Sequence, residues 1–456
     1  MNKINLIDIV KAINGRLLRE GSQKEFSNVV IDSRKVSKGD IFFAIKGENF
    51  DGHNFIEGAL NSGAGLVIVH KDENYKNLCE DASILLVEDT KKALLDLAKY
   101  YIGTLDIKVV GITGSTGKTS TKDLIAAALS EKYKVFKTKG NFNNDIGMPL
   151  MIFQLDSSYE VAILEMGMSN LGEIETLARV ANPEIAVITN IGTSHMENLK
   201  TRENILKAKL EITTLFEKEN VLIVNGDNDL LHNIDSDKYK IVKIGIESDY
   251  NFKGCRIIIN KDNIEFSVEE DGKLINQVIK VPVPGKHNVL NSLLAIAVGR
   301  QLGLDYNLIA EGIKNLEATS MRLDVINYNG YTIINDAYNA SPDSMIAALD
   351  VVKTYDGRKI AVLGTMKELG EESDKAHEMV GRYAKETGID MLITVGEFSE
   401  EFERGFGKEN FNKFNSIENI VVYLEQILKP GDVVLIKASR SMKFENIINK
   451  LQKKSI

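Results

Sequence analysis

Apolar and polar positions come in blocks along this chain, and the period changes from block to block. Short, largely apolar runs stand at 107–112, 161–164, 185–188 and 221–224, each followed by a polar or glycine-containing break. Runs of this length, rich in β-branched residues, predict strands buried on both faces. Between them the spacing turns helical. At 90–101, Leu94, Leu97, Ala98 and Tyr101 share one face, and a further helix is expected over 121–132. Strand alternating with helix predicts a parallel sheet covered on both sides.

From about 240 to 283 the pattern becomes β-rich and polar, with runs at 256–260 and 264–268, and predicts an antiparallel insertion. A helix over 288–301 follows. A second alternating series, at 331–334, 360–363, 391–395 and 433–436, predicts another doubly wound domain. Upstream, the runs at 29–34 and 40–47 and the Asp51-Gly52-His53 turn predict a small α+β module. There is no internal repeat or low-complexity tract.

Composition narrows the class. The 456 residues exceed one ordinary core, and 43% hydrophobic with 27% charged residues describes a globular protein. No apolar run approaches the ~18 residues of a membrane helix, and the first residues lack the apolar core of a secretory signal, so a cytoplasmic protein without membrane insertion is expected. Cys79 and Cys255, far apart, predict two reduced thiols rather than a disulfide or metal knuckle. A net charge of −9 argues against nucleic acid as the main partner.

The densest chemistry follows the first central strand, in Thr113-Gly114-Ser115-Thr116-Gly117-Lys118-Thr119-Ser120. A strand, a glycine-rich turn and a helix opening on Lys-Thr form a phosphate-binding loop: glycines let backbone N–H groups face an anion, and the helix N-terminus adds its dipole. Lys118 is placed for the β/γ-phosphates and Thr119 for Mg²⁺. The spacing is G-x-x-G-K-T, not the usual G-x-x-x-x-G-K-[ST], because Ile112 stands five residues before Gly117. A nucleoside triphosphate is expected here.

Ligands of open α/β sheets sit beyond the carboxyl ends of strands, which points to Glu165 in Leu164-Glu165-Met166-Gly167 and His195 in Asn190-Ile191-Gly192-Thr193-Ser194-His195. A carboxylate and an imidazole beside the loop could serve a metal ion. Lys209, in Lys207-Ala208-Lys209-Leu210-Glu211, reads by itself as part of a solvated lysine face. Asn288 and Asn291 share one face at a helix start, where they could cap it or present amides to a nucleobase.

In order and spacing, these segments together with His287-Asn288-Val289-Leu290-Asn291 resemble the ATP-dependent Mur ligases, which build the peptide stem of peptidoglycan precursors. Asn335-Asp336-Ala337-Tyr338-Asn339-Ala340-Ser341-Pro342, Leu363-Gly364-Thr365-Met366-Lys367-Glu368-Leu369-Gly370 and Lys437-Ala438-Ser439-Arg440 narrow the resemblance to members that add D-Ala-D-Ala. Thr365, Ala438 and Ser341 replace the acid, Gly and Asn usual in the family.

The resemblance implies α/β architecture in three domains. Residues 1–84, the small α+β module, would bind the UDP precursor. Residues 85–316, a phosphate-loop ATPase-like parallel sheet with the antiparallel insertion, would bind ATP. Residues 317–456, a Rossmann-like α/β domain, would close on ATP and acceptor. The implied substrates are UDP-N-acetylmuramoyl-tripeptide and D-Ala-D-Ala, joined by a monomer using ATP and two Mg²⁺ ions.

Residue by residue, Gly114 to Ser120, with Lys118 and Thr119 foremost, would hold the triphosphate and Mg²⁺. Glu165, His195 and a carbamylated Lys209 would serve the metal sites. Asn288 and Asn291 would touch adenine, Arg322 the phosphates and Asp336 the ribose. Ser33, Arg34, Lys46 and Gly47 would hold the uridine diphosphate. Thr138, Asn143 and Asn144 would line the nucleotide-peptide channel, and Tyr338 and Asn339 the closed active site. Alternatives are a sister ligase with another amino acid acceptor and a nucleotide switch that makes no bond.

Overall fold

A computed structural model of the chain describes residues 1–71 and 81–453; Cys79 lies outside them, and Cys255 is a free thiol. The central sheet has nine strands, in the order Lys273–Val281, Ile264–Glu270, Phe252–Ile259, Lys240–Gly245, Val221–Asn225, Ile185–Ile188, Lys108–Thr113, Val161–Glu165 and Val135–Lys137. The strand entering the phosphate loop lies between two parallel neighbours, 161–165 and 185–188. Chain order reverses there, which opens a crevice at the carboxyl ends of these three strands.

Largely apolar runs are needed because both faces are covered. Val109, Ala162, Leu164, Ala186 and Ile188 enter one core, while Val110, Ile112, Ile163 and Val187 enter the other. The first core also takes Leu94, Leu97 and Tyr101 of helix Thr90–Ile102 together with Leu6 and Ile9, welding the N-terminal residues to the central domain. The antiparallel insertion expected inside the central domain is present. Its strands pair antiparallel with one another and extend the same sheet, joined to it by the parallel pair 240–245 and 252–259.

Residues 1–84 combine helices with a mixed sheet and a small ribbon. Their five-stranded sheet runs Arg16–Arg19, Ser83–Leu86, Leu66–Val69, Ile41–Phe43 and Val29–Val30, and only Arg16–Arg19 pairs antiparallel. A separate ribbon joins Ile4–Asn5 to Glu25–Phe26. In the C-terminal domain, six strands run Asp324–Tyr328, Tyr331–Asn335, Val433–Lys437, Lys359–Gly364, Met391–Val395 and Phe411–Phe414, all parallel beyond the first pair.

The connection into that domain is fastened to the helix that follows the phosphate loop. Asp123, 3% exposed, accepts from the Thr319 backbone N–H (3.0 Å) and hydroxyl (2.6 Å) on one carboxylate oxygen. Met321 and Leu323, just beyond, have φ of 61° and 55°, left-handed conformations that side chains rarely adopt. Among the described residues no helix is long and apolar enough to cross a membrane.

Candidate active site

Strand Lys108–Thr113 runs through residues 114–117 into helix Lys118–Leu129, so the helix begins three residues before its expected start at 121. Gly117, with φ 79°, turns the chain so that Lys118 and Thr119 open the helix, leaving its first N–H groups without intrahelical acceptors. Gly114 has φ 152°, and a Cβ there would lie 1.8 Å from Thr189 Oγ1. Gly114→Ala is therefore expected to cost about 1–3 kcal/mol and to displace the loop. A lowered urea midpoint checks this; an unchanged midpoint would mean that the strand beside it yields.

The loop is held from the neighbouring strand end. Ser115 N–H donates to Asn190 O (3.0 Å), Thr116 N–H to Asn190 Oδ1 (2.8 Å), and Asn190 Nδ2 to Thr116 Oγ1 (2.8 Å). Gly192 N–H donates to Ser115 Oγ (2.9 Å). Lys118 folds back and donates to Gly114 O at 2.7 Å. Enclosure lowers its pKa from the ordinary lysine range, an effect opposed by Glu165.

Glu165, 3% exposed, ends its strand against this helix. Its Oε2 accepts from the Thr119 hydroxyl and its Oε1 from Asn143 Nδ2, both at 3.0 Å. Arg322 Nη2, from the C-terminal side of the crevice, donates to the same Thr119 oxygen at 2.9 Å. The Arg322 guanidinium lies 4.3 Å from the centroid of Tyr338, a cation–π contact that fixes its plane. His195, with φ 66°, brings Nδ1 to 2.7 Å from Glu368 Oε2. This short contact holds the Glu368 carboxyl below its usual range.

These groups line a cavity of about 790 Å³ between the central and C-terminal domains. It gathers residues 115–120, Asn143, Asn144, Glu165, His195, Asn288, Asn291, Arg322, Asp336, Tyr338 and Asn339, most of the residues expected there. Ser33, Arg34, Lys46, Gly47, Thr138 and Lys209 do not line it. Ser33 and Arg34 follow strand Val29–Val30, and Lys46 and Gly47 follow Ile41–Phe43, at one end of the N-terminal sheet. Arg34 is exposed and paired with Asp32, whose carboxyl it pulls down to about 2.

Thr138 is buried behind the site. Its hydroxyl accepts from the Glu165 N–H (3.0 Å) and its carbonyl from Lys122 Nζ (2.8 Å), so it positions Glu165 from within. The solvated face read for Lys209 is overturned: in helix Arg202–Leu210 the residue is 1% exposed. No hydrogen bond or ion pair of its amine is found among the described residues. Burial pushes its pKa far below the lysine range, and repulsion from Lys118 adds to this.

Asn288 and Asn291 spend their amides locally. Asn291 Nδ2 donates to Asn288 Oδ1 (3.0 Å), Asn288 Nδ2 to Pro284 O (2.7 Å), and Asn291 Oδ1 accepts from Thr121 (3.2 Å). They buttress the helix after the phosphate loop while facing the cavity. Asp336 is paired with Lys437 and accepts from the Leu323 N–H (3.3 Å). Lys437, 2% exposed, also donates to Asn339 O (2.9 Å), and burial lowers its pKa against the pull of Asp336. Neither Lys437 nor Glu368 was assigned a role from sequence. Both stand at or just beyond the carboxyl ends of C-terminal strands, the rule that identified Glu165.

No group of three or more His, Cys, Asp and Glu side chains suited to a metal occurs among the described residues. The donors present are one buried carboxylate, a hydroxyl and an imidazole beside a phosphate loop. Such a set fits Mg²⁺ held largely through substrate phosphates rather than in a protein cage.

Three family models cover the chain in order: Mur ligase family, catalytic domain, over 25–102; Mur ligase middle domain over 112–299; and Mur ligase, glutamate ligase domain, over 321–440. A relative from Bacillus subtilis (strain 168), named UDP-N-acetylmuramoyl-tripeptide–D-alanyl-D-alanine ligase, is 39% identical over 99% of both chains. A crystal structure of MurF from Acinetobacter baumannii superposes with a TM-score of 0.92 at 28% identity, covering 99% of each chain. The structure of MurF ligase from Thermotoga maritima in complex with ADP gives 0.83 at 31% identity, covering 94% of this chain and 97% of that one.

Proposed function

The chain belongs to the Mur ligase family, and we propose that it joins D-Ala-D-Ala to UDP-N-acetylmuramoyl-tripeptide in ATP-dependent synthesis of a peptidoglycan precursor. One observation carries this reading. Lys118, Thr119 and Glu165 of the central domain and Arg322, Tyr338 and Asn339 of the C-terminal side line one cavity. The full-length match to a relative of that name supports it.

The donor's stem carboxylate attacks the γ-phosphorus of ATP, ADP leaves, and an acyl phosphate forms. The dipeptide amine then attacks the acyl carbon, loses a proton, and phosphate departs through a tetrahedral intermediate. Lys118 and the helix N-terminus would hold the triphosphate, and Arg322 would meet it from the other side of the crevice. Bound Mg²⁺ supplies charge neutralisation on those phosphates. Thr119, Glu165 and His195 are the residues to hold it.

Lys209 is carbamylated on this reading. An amine whose burial favours the neutral form adds CO₂ to give N–COO⁻ and releases a proton, turning a cation that repels Lys118 into an anion that attracts it. Ser33, Arg34, Lys46 and Gly47 bind the uridine diphosphate, and the donor extends from them past Asn143 and Asn144. Asn288 and Asn291 support adenine, and Asp336 the ribose. On this reading the protein acts as a monomer in the cytoplasm.

ADP and phosphate are expected to appear stoichiometrically with amide bond only when UDP-N-acetylmuramoyl-tripeptide and D-Ala-D-Ala are both present with ATP and Mg²⁺. A coupled assay with mass spectrometry of the product checks this. Equal turnover of a dipeptide-stem precursor with a single amino acid would move the chain to a sister ligase.

A further inference from the structure

We propose that Glu368 is a positioning residue for His195, delivered by the C-terminal domain, so that the metal-side half of the site is complete only when the two domains are docked. The proposal rests on the ligase reading above. His195 belongs to the central domain and lines the cavity, and its Nδ1 lies 2.7 Å from Glu368 Oε2, which leaves Nε2 as the ring nitrogen outside that contact. A histidine serving a metal ordinarily turns its other nitrogen to a carboxylate or carbonyl, which sets tautomer and ring orientation. Here that carboxylate comes from the neighbouring domain.

Three other carboxylates near the loop are already engaged: Glu165 by Thr119 and Asn143, Asp336 by Lys437, and Asp123 by Thr319. Glu368 is held for its task from both sides. Its carbonyl accepts from the Glu197 N–H at 3.2 Å, so backbone as well as side chain docks on the segment that follows His195. Behind it, the Met366 N–H donates to Nε2 of the fully buried His377 at 2.9 Å. His377 Nδ1 donates to Ser373 O at 2.6 Å, which fixes the tautomer, and the ring stacks on Phe398. His195 and Glu368 both sit in left-handed backbone, φ 66° and 67°, meeting across the gap. Strain of this kind persists only where surrounding structure enforces it, and it concentrates at functional contacts.

The test compares the full-length chain with Glu368→Ala and Glu368→Gln. Mn²⁺ affinity is read by electron paramagnetic resonance with a non-hydrolysable ATP analogue, beside kcat, KM and the melting midpoint. The Glu368 side chain is 57% exposed, so both variants should fold. Glu368→Ala is expected to bind Mn²⁺ roughly 10–100-fold more weakly and to lose kcat by a similar factor, with KM for the UDP-linked donor unchanged. Glu368→Gln keeps an oxygen acceptor for Nδ1–H and should recover at least half of the loss on a logarithmic scale. Unchanged Mn²⁺ affinity in Glu368→Ala, or no recovery in Glu368→Gln, overturns the proposal. A wild-type chain that forms no amide product overturns the ligase reading instead.

Discussion

Lys118→Ala should lower turnover by at least 10²-fold while the protein melts within a few degrees of wild type. The ammonium is the point charge nearest the expected β/γ-phosphates, and a group of this kind stabilises developing charge by ~3–4 kcal/mol. Stability should hardly change, because among the described residues Lys118 bonds only to Gly114 O and forms no ion pair. Enclosure already disfavours its charged form, so the variant also relieves a desolvation cost. Phosphate release at saturating substrates, read beside a thermal melt, checks both halves. Near-normal turnover would make the loop a structural turn.

Lys209→Ala should be comparably damaging, for the opposite electrostatic reason. A buried amine beside Lys118, without a carboxylate partner among the described residues, is a poor structural cation. Its removal should leave the melting temperature nearly unchanged or raise it slightly. As a carbamate the same side chain is a carboxylate, and its loss should reduce turnover about 10²-fold or more, the scale of one lost electrostatic stabiliser. Lys209→Arg should not restore activity, since a guanidinium stays cationic and takes up no CO₂ under these conditions. Acetate or propionate added to the Ala variant should recover part of the rate by filling the vacated space. A fully active Ala variant, or a plain amine seen at Lys209, would end the carbamate reading.

What could be read from sequence was what lies contiguous along the chain or ends a strand. The phosphate loop declares itself because Gly114, Gly117, Lys118 and Thr119 act as one local unit. Glu165 and His195 follow from counting to strand ends. Lys209 could not be read that way. Its helix, Arg-Glu-Asn-Ile-Leu-Lys-Ala-Lys-Leu, is charged around much of its circumference, and only tertiary packing covers the lysine. The open choice for Asn288 and Asn291 resolved locally toward neither option alone: they bond each other and the helix after the loop, and still face the cavity. Glu368 and Lys437 depend on which domain faces which, a relation no local spacing encodes. The pairing directions of the N-terminal sheet were not legible, because strands as short as Val29–Val30 carry no period.

Helix His287–Gln301 packs on the helix after the phosphate loop, with Leu293, Leu294 and Ala297 sharing a core with Leu124, Ile125 and Ala128. During synthesis, the nucleotide-binding segment therefore emerges long before the helix that covers it. The central domain must wait, with an apolar face open, until residue 301 has left the ribosome; such distant contacts are slow to form and leave intermediates prone to association. The C-terminal sheet has the same dependence, since the strand made last, Val433–Lys437, lies inside it and pairs with both Tyr331–Asn335 and Lys359–Gly364. Both domains thus wait for an element that arrives late in synthesis, and Arg322 meets Thr119 only after both have finished.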